Sequence, residues 1–360
     1  MRVFRYTRLV LRISGRSSFL LTTALVSVAL PTLLAQEETS VVVFSGPTMG
    51  TRYTVRVVAP PLDDHGREQI QTAIEAELAL SDRLLSTWDA ESEISRFNAH
   101  ASPEPFALAP ETIGLLEIAR QVRELSGGAF DVTVGPLVQA WGFGPARRPA
   151  RTPSLETLTD LLTRVGQELL VVDAEAGTVT KERPDVACDL SALAPGWAAD
   201  RIATALTTLG HRNVIVDVGG EVVACGRRSG GARWRVAVES PGGDRSKVVV
   251  LALENTAVAT SGDYRNAFID EAGTRRSHLI DPRTGEPVTH GLASVTVVHP
   301  EGVWADALAT ALLVMGPEPA WALAERLGLA VRLVARTENG TYTATSTAPF
   351  EALTWAGAEE

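Results

Sequence analysis

Between Asn213 and Thr260 the chain holds five strand-like runs in succession, with turn residues and no helical stretch between them. They cover Asn213–Val218, Glu221–Gly226, Trp234–Glu239, Lys247–Leu253 and Ala257–Thr260. Parallel neighbours need a crossover of a dozen or more residues, usually a helix. Strands joined this closely must therefore pair antiparallel, which excludes a doubly wound fold and predicts an α+β class. Helical periodicity lies elsewhere. Glu68–Leu85 repeats apolar residues at Ile70, Ile74, Leu78 and Leu85, and Pro110–Ser126 has proline in its first turn and Gly127 past its end. Further helices are predicted from the Ser154 cap to Gly166, at about Gly196–Leu209, at about Trp304–Met315 and over Pro317–Leu327. Strand pairing is predicted within Val41–Val58, for Leu169–Asp173 with Thr178–Glu182, and about Asn339-Gly340, with Val186–Leu190 as a further strand.

The first 35 residues read differently from the rest. Arg2, Arg5, Arg8, Arg12 and Arg16 precede an apolar stretch from Phe19 to Leu34 that ends at Ala35-Gln36, with no acidic residue. This is the pattern of a secretory signal peptide over 1–35, with an uncleaved membrane anchor as the competing reading. It leaves 36–360 as the folded domain and predicts an exported, periplasmic protein. The formal charge is −10, and loss of those five arginines alone takes it to −15. So acidic a chain is a poor partner for nucleic acid. A multiply charged anionic ligand would have to be held by a metal or by local backbone donors.

Cys188 and Cys225, the two cysteines, both sit in apolar strand-like runs. Buried free thiols are the expected state, and a single disulfide is the alternative. There is no CxxC, and the six histidines show no zinc-ligand spacing.

Two segments carry a denser signal. Asp306 and Thr310 stand four apart in an alanine-rich run ending at Gly316-Pro317, so on a helix their oxygens share one face. A carboxylate with a hydroxyl suits a hard cation such as magnesium, which takes few protein ligands and completes its shell with water and phosphate. Upstream lies Ser277-His278-Leu279-Ile280-Asp281-Pro282-Arg283-Thr284-Gly285, a short apolar strand closed by a turn. His278 is then a proton acceptor at a strand end.

Six other segments accompany these two in order. They are Gly46-Pro47-Thr48-Met49-Gly50-Thr51, Leu85-Ser86-Thr87-Trp88 running to Ser95-Arg96-Phe97-Asn98, and Gly127-Gly128-Ala129-Phe130-Asp131-Val132-Thr133 continuing to Trp141-Gly142-Phe143-Gly144. The others are Asp189-Leu190-Ser191-Ala192-Leu193-Ala194-Pro195-Gly196 with Asp200, Val216-Asp217-Val218-Gly219-Gly220-Glu221, and Thr260-Ser261-Gly262-Asp263-Tyr264. Together they resemble the ApbE family of flavin transferases over nearly all of residues 41–335.

That resemblance implies an ApbE-like, T-fold-related α+β fold, with a largely antiparallel sheet, packed helices and a ligand cleft between two lobes. It implies magnesium-dependent transfer of FMN from FAD to a threonine or serine hydroxyl of another protein, with AMP released and manganese as an alternative ion. FAD would meet Met49, Trp88, Ala129, Phe130, Asp131, Asp189, Pro195 and Ile280. Asp306, Thr310 and the Ala192 carbonyl would hold the metal, with Ala309 beside it, and His278 would be the base. The resemblance also places the amide-rich start of a helix, after Ala192, against the pyrophosphate. Pro195 departs from the pattern, since many relatives have Lys there and some Glu. The acceptor implied is a membrane redox subunit bearing a flavinylation-site threonine. Two other readings of the same segments stay open: a metal-dependent FAD pyrophosphatase and a periplasmic FAD-binding protein without catalysis.

Overall fold

Strand β1 (Ser40–Thr48) turns its alternate residues Val42 and Phe44 inward and Val41 and Val43 to solvent. It pairs with β2 (Thr51–Ala59) across a two-residue turn in which Met49 and Gly50 both have positive φ, 46° and 70°. Such a turn matches the twist of the two strands. The computed structural model describes residues 39–144, 152–241, 248–263, 267–271 and 273–357. The segment predicted as a signal peptide, together with Lys247 and Tyr264, lies outside the described residues.

After the hairpin come α1 (Asp64–Leu85), α2 (Glu93–Ala99), β3 (Phe106–Ala107), α3 (Pro110–Ser126), α4 (Gly135–Ala140), α5 (Leu155–Leu162), β4 (Leu170–Asp173) and β5 (Thr178–Lys181). The middle of the chain forms α6 (Ala194–Thr208), β6 (Val214–Val218), β7 (Glu221–Cys225), β8 (Trp234–Val238), β9 (Val249–Leu253) and β10 (Thr256–Gly262). The rest is β11 (Ala267–Ile269), β12 (Arg275–Ser277), β13 (Leu292–His299), α7 (Gly302–Met315), α8 (Pro317–Leu327), β14 (Ala330–Arg336), β15 (Tyr342–Ser346) and α9 (Ala348–Glu351).

The antiparallel prediction holds. Eight strands form one sheet in the order β1-β2-β6-β7-β10-β13-β14-β15, and every pairing in it is antiparallel. Not all five successive strands join it, however. Strands β8 and β9 form a separate pair, with β9 bridged to Thr354 near the C-terminus, and lie over the opposite face, where Trp234, Leu251 and Leu253 pack with Val258, Val298 and Phe350. The helical face buries α6 and α7 against the sheet, with α1 and α3 outside them. Helix α7 is surrounded by packing and is apolar on nearly every side, as a central helix must be. Its buried charged residue is Asp306.

Several local predictions shift. Helix α1 begins four residues early because the Asp63 side chain caps it, accepting from Gly66 N–H at 2.8 Å. Ser154 does cap α5, but that helix ends at Leu162 rather than Gly166. Val186–Leu190 is extended without a ladder partner. Helix α2, at seven residues, is too short to display a period. Strand β13 escapes the alternation test because both its faces are covered and Leu292–Val298 are all buried. Both cysteines are free, and burial pushes the Cys188 thiol up to about 12.

Candidate active site

Six of the eight segments singled out by sequence converge on one cavity of about 350 Å³. Its walls come from the turn after α3, the loop before α6, the end of β10, the segment after β12 and the inner face of α7. Phe130, Val132, Val138, Phe143, Ile280 and Val314 supply flat apolar surface, fitting a ring system.

The polar part centres on α7. Asp306 is 6% exposed, and Gly196 N–H donates to its Oδ2 at 3.1 Å. Burial, and then the charge of Glu221, hold the Asp306 carboxyl well above the usual carboxylate range. Thr310 is one turn further, with Oγ 2.9 Å from the Ser261 hydroxyl. Ala192 lines the same cavity from the loop before α6, and Ala309 is fully buried in α7 and is not among the lining residues. Carboxylate, hydroxyl and carbonyl oxygens form a donor set for a hard cation, so the residues present fit magnesium or manganese. A cation would also relieve the burial of two neighbouring carboxylates. No cluster of three or more His, Cys, Asp or Glu suited to a metal occurs among the described residues.

His278 follows directly on β12 and lines the cavity, with its ring 6.3 Å from that of Phe143 in an edge-on arrangement. Asp281 braces this loop: its carboxylate accepts from the backbone and guanidinium of Arg283 at 2.7–2.9 Å.

Ala129, Phe130, Asp131, Asp189, Pro195 and Ile280 all reach the cavity. Asp131, however, is internally saturated. Its Oδ1 accepts from Thr133 N–H at 2.9 Å and Thr133 Oγ at 2.6 Å, and its Oδ2 accepts from Arg123 Nε at 2.6 Å and Gln167 N–H at 3.0 Å. Met49 and Trp88 are not among the lining residues. Met49 sits in the hairpin turn, packed against the main core, and Trp88 is 62% exposed on the turn after α1.

The start of α6 also differs from expectation. The Ala194 N–H donates to Leu190 O, Pro195 has no N–H, Gly196 donates to Asp306, and Trp197 donates to Leu193 O. The first-turn amides are thus spent inside the protein rather than left for phosphate. Gly196 is required for a steric reason. A Cβ there would stand 2.4 Å from Gly302 O and 2.8 Å from the Asp306 Cβ.

Glu221, Ser261 and Phe143 also belong to the site, although sequence reasoning assigned them no role. Each lies inside a segment that carries the family resemblance, but the glycines beside Glu221 and Ser261 read equally well as turns. The described lining contains Asp131, Asp189, Glu221 and Asp306 but no lysine or arginine.

A sequence model of the ApbE family matches residues 49–333. A FAD:protein FMN transferase of Haemophilus influenzae is 39% identical over 334 residues, which cover 91% of this chain and 96% of the relative. One from Vibrio cholerae is 41% identical over 310 residues, covering 85% and 91%. Among solved structures, the flavin transferase ApbE from Vibrio cholerae matches with a TM-score of 0.79 at 38% identity, covering 88% of this chain and all of that one. The apo form of Pseudomonas stutzeri flavinyl transferase ApbE matches with a TM-score of 0.80 at 38% identity, covering 89% and 98%.

Proposed function

Because the chain belongs to the ApbE family, we propose that it transfers FMN from FAD to a hydroxyl of an acceptor protein. The observation that carries this reading is the single cavity in which His278, Asp306, Thr310 and Ala192, drawn from three separate segments, face apolar surface of ring size. The acceptor hydroxyl oxygen attacks the phosphorus on the FMN side. The bond from that phosphorus to the bridging oxygen breaks, AMP leaves, and the proton of the hydroxyl passes to His278.

Asp306, Thr310 and the Ala192 carbonyl would hold the metal. A bound magnesium or manganese ion supplies charge neutralisation on the pyrophosphate oxygens. The need for it is electrostatic: a cavity whose described lining bears carboxylates and no lysine or arginine repels a dinucleotide unless a cation stands between them. Pro195 fits this division of labour, since without a Lys at that position the metal takes a larger share of the phosphate charge. The phenyl ring of Phe143, edge-on to His278, excludes water from one side of the base.

The proposal extends to place and partner. The arginine-rich, apolar N-terminal stretch supports export to the periplasm, at the outer face of the inner membrane. A membrane redox subunit carrying a flavinylation-site threonine is the acceptor class this implies. The test incubates the protein with FAD, magnesium and such a subunit. Covalent flavin on the acceptor is expected, whereas free FMN and AMP alone would point to pyrophosphatase action, and unchanged bound FAD to a binding protein.

A further inference from the structure

The wall that carries Asp189, Ser191 and Ala192 grows out of the extended run Val186–Leu190, which has no strand beside it. Buried backbone groups in such a run need partners from elsewhere. Asn98, near the end of α2, provides two of them. Its Nδ2 donates to Cys188 O at 2.8 Å, and its Oδ1 accepts from Cys188 N–H at 2.7 Å. One side chain thereby replaces the pair of bonds that a neighbouring strand would have made.

Asn98 is itself fixed from behind. Lys181, at the end of β5 and 3% exposed, donates from Nζ to Asn98 O at 3.0 Å and to His100 O at 3.1 Å, with its ammonium 4.7 Å from the Phe97 ring centroid. Those carbonyls belong to the last turn of α2, where acceptors are left over and positive charge is favoured. On the far side of Cys188 the wall is a sequence of tight local bonds. Asp189 N–H donates to Val132 O at 2.6 Å, Ser191 N–H to Asp189 Oδ1 at 2.9 Å, and the Leu193 and Ala194 amides to Leu190 O at 3.0 Å. Between Cys188 and Ala192 the chain thus has little slack, so the setting of Cys188 bears on where Ala192 stands.

We propose that Asn98 is a positioning residue for the cation side of the cavity, setting through Cys188 where the Asp189 carboxylate and the Ala192 carbonyl stand, with Lys181 holding Asn98 in place. The inference rests on the proposed function. It makes Asn98 an outer partner of the metal site, a class of residue whose loss typically weakens metal affinity about 10–100-fold.

The test titrates FAD into the protein by quenching of flavin fluorescence at a series of magnesium concentrations, with thermal unfolding and saturated transfer rate measured alongside. Asn98→Ala should raise the magnesium concentration for half-maximal FAD binding by about 10–100-fold. Its transfer rate at saturating magnesium and FAD should stay within about threefold of wild type, because the reacting groups are unchanged. Asn98→Asp, which keeps the acceptor for Cys188 N–H but sets an anionic oxygen against Cys188 O, should shift in the same direction and serves where the alanine variant does not fold. Arg96→Ala, on the exposed side of the same helix, should match wild type. A lowered melting temperature with an unchanged magnesium requirement would reduce Asn98 to a stability residue and overturn the inference. Wild-type protein that binds FAD equally well with and without magnesium would overturn the functional reading, and the inference with it, in an arm that contains no mutation.

Discussion

Asp200 and Asp306 cap each other's helices. Asp200, on α6, accepts from the Gly302 and Val303 amides at the start of α7 at 2.8 and 2.9 Å, and Asp306, on α7, accepts from the Gly196 amide at the start of α6 at 3.1 Å. Gly196 and Gly302 let the two helices approach closely enough for this exchange. One of the two carboxylates faces the cavity, so part of the active site is built from the same bonds that lock two core helices together.

Asp306→Asn separates those duties. The amide oxygen still accepts from Gly196, so the protein should fold, while the charge for a cation is gone. Transfer should fall by at least about a hundredfold, consistent with the several kcal/mol that a Lewis-acid cation contributes. Wild-type turnover at limiting magnesium would remove Asp306 from the metal site.

Asp200 gives a pH signature. Burial, opposed by its two amide donors, pushes its carboxyl from 3.8 up to about 6. A raised acid binds its proton more tightly when folded, so its contribution to stability is present below pH 4 and is lost as pH rises through about 6. At 1.36 kcal/mol per pH unit, the swing is about 3 kcal/mol. Urea unfolding of metal-free wild type and Asp200→Asn at pH 4 and pH 7 should show wild type losing that much relative to the variant. A gap that does not change with pH contradicts the assignment.

His278→Ala should lower the saturated transfer rate by about 10²–10⁴ and leave FAD affinity nearly unchanged, since removing a proton from the nucleophile matters only on the way to the transition state. Single-turnover transfer beside an FAD titration is the measurement. A rate within about threefold of wild type at saturation would take His278 out of the mechanism.

For Asp131 the structure favours a stability effect over a binding one. Asp131→Ala strands the Thr133 and Gln167 amides and leaves the Arg123 guanidinium with Glu168 alone, at a cost of about 2–4 kcal/mol. The melting temperature should drop while FAD affinity of the folded protein stays within about threefold. A direct contact with ribose would instead appear as weak FAD binding at normal stability.

Much of this was legible in advance, for identifiable reasons. Short turns between strands determined the antiparallel pairing, Pro110 and Gly127 marked both ends of α3, and the four-residue spacing of Asp306 and Thr310 put both on the cavity face of α7. Burial on both faces hid β13 by erasing its alternation. Nor does anything local to Asp131 disclose that Arg123 and Gln167 converge on it, because those contacts exist only after folding. Glu221 was hidden in the same way: its neighbourhood to Asp306 is made by β7 and α7 meeting, not by sequence spacing.

Strand β2 lies against β6, with Val57 opposite Val214, although the described residues between them build six helices and a separate three-stranded sheet. Closing so long a loop costs entropy before any ladder bond rewards it, and folding slows as contacts become more distant along the chain. The hairpin of β1 and β2 is local and has α1 beside it, but its ladder with β6 must wait until the long intervening chain has been drawn in. The junction of β2 with β6 is thus the seam at which the eight-stranded sheet closes last from the N-terminal side.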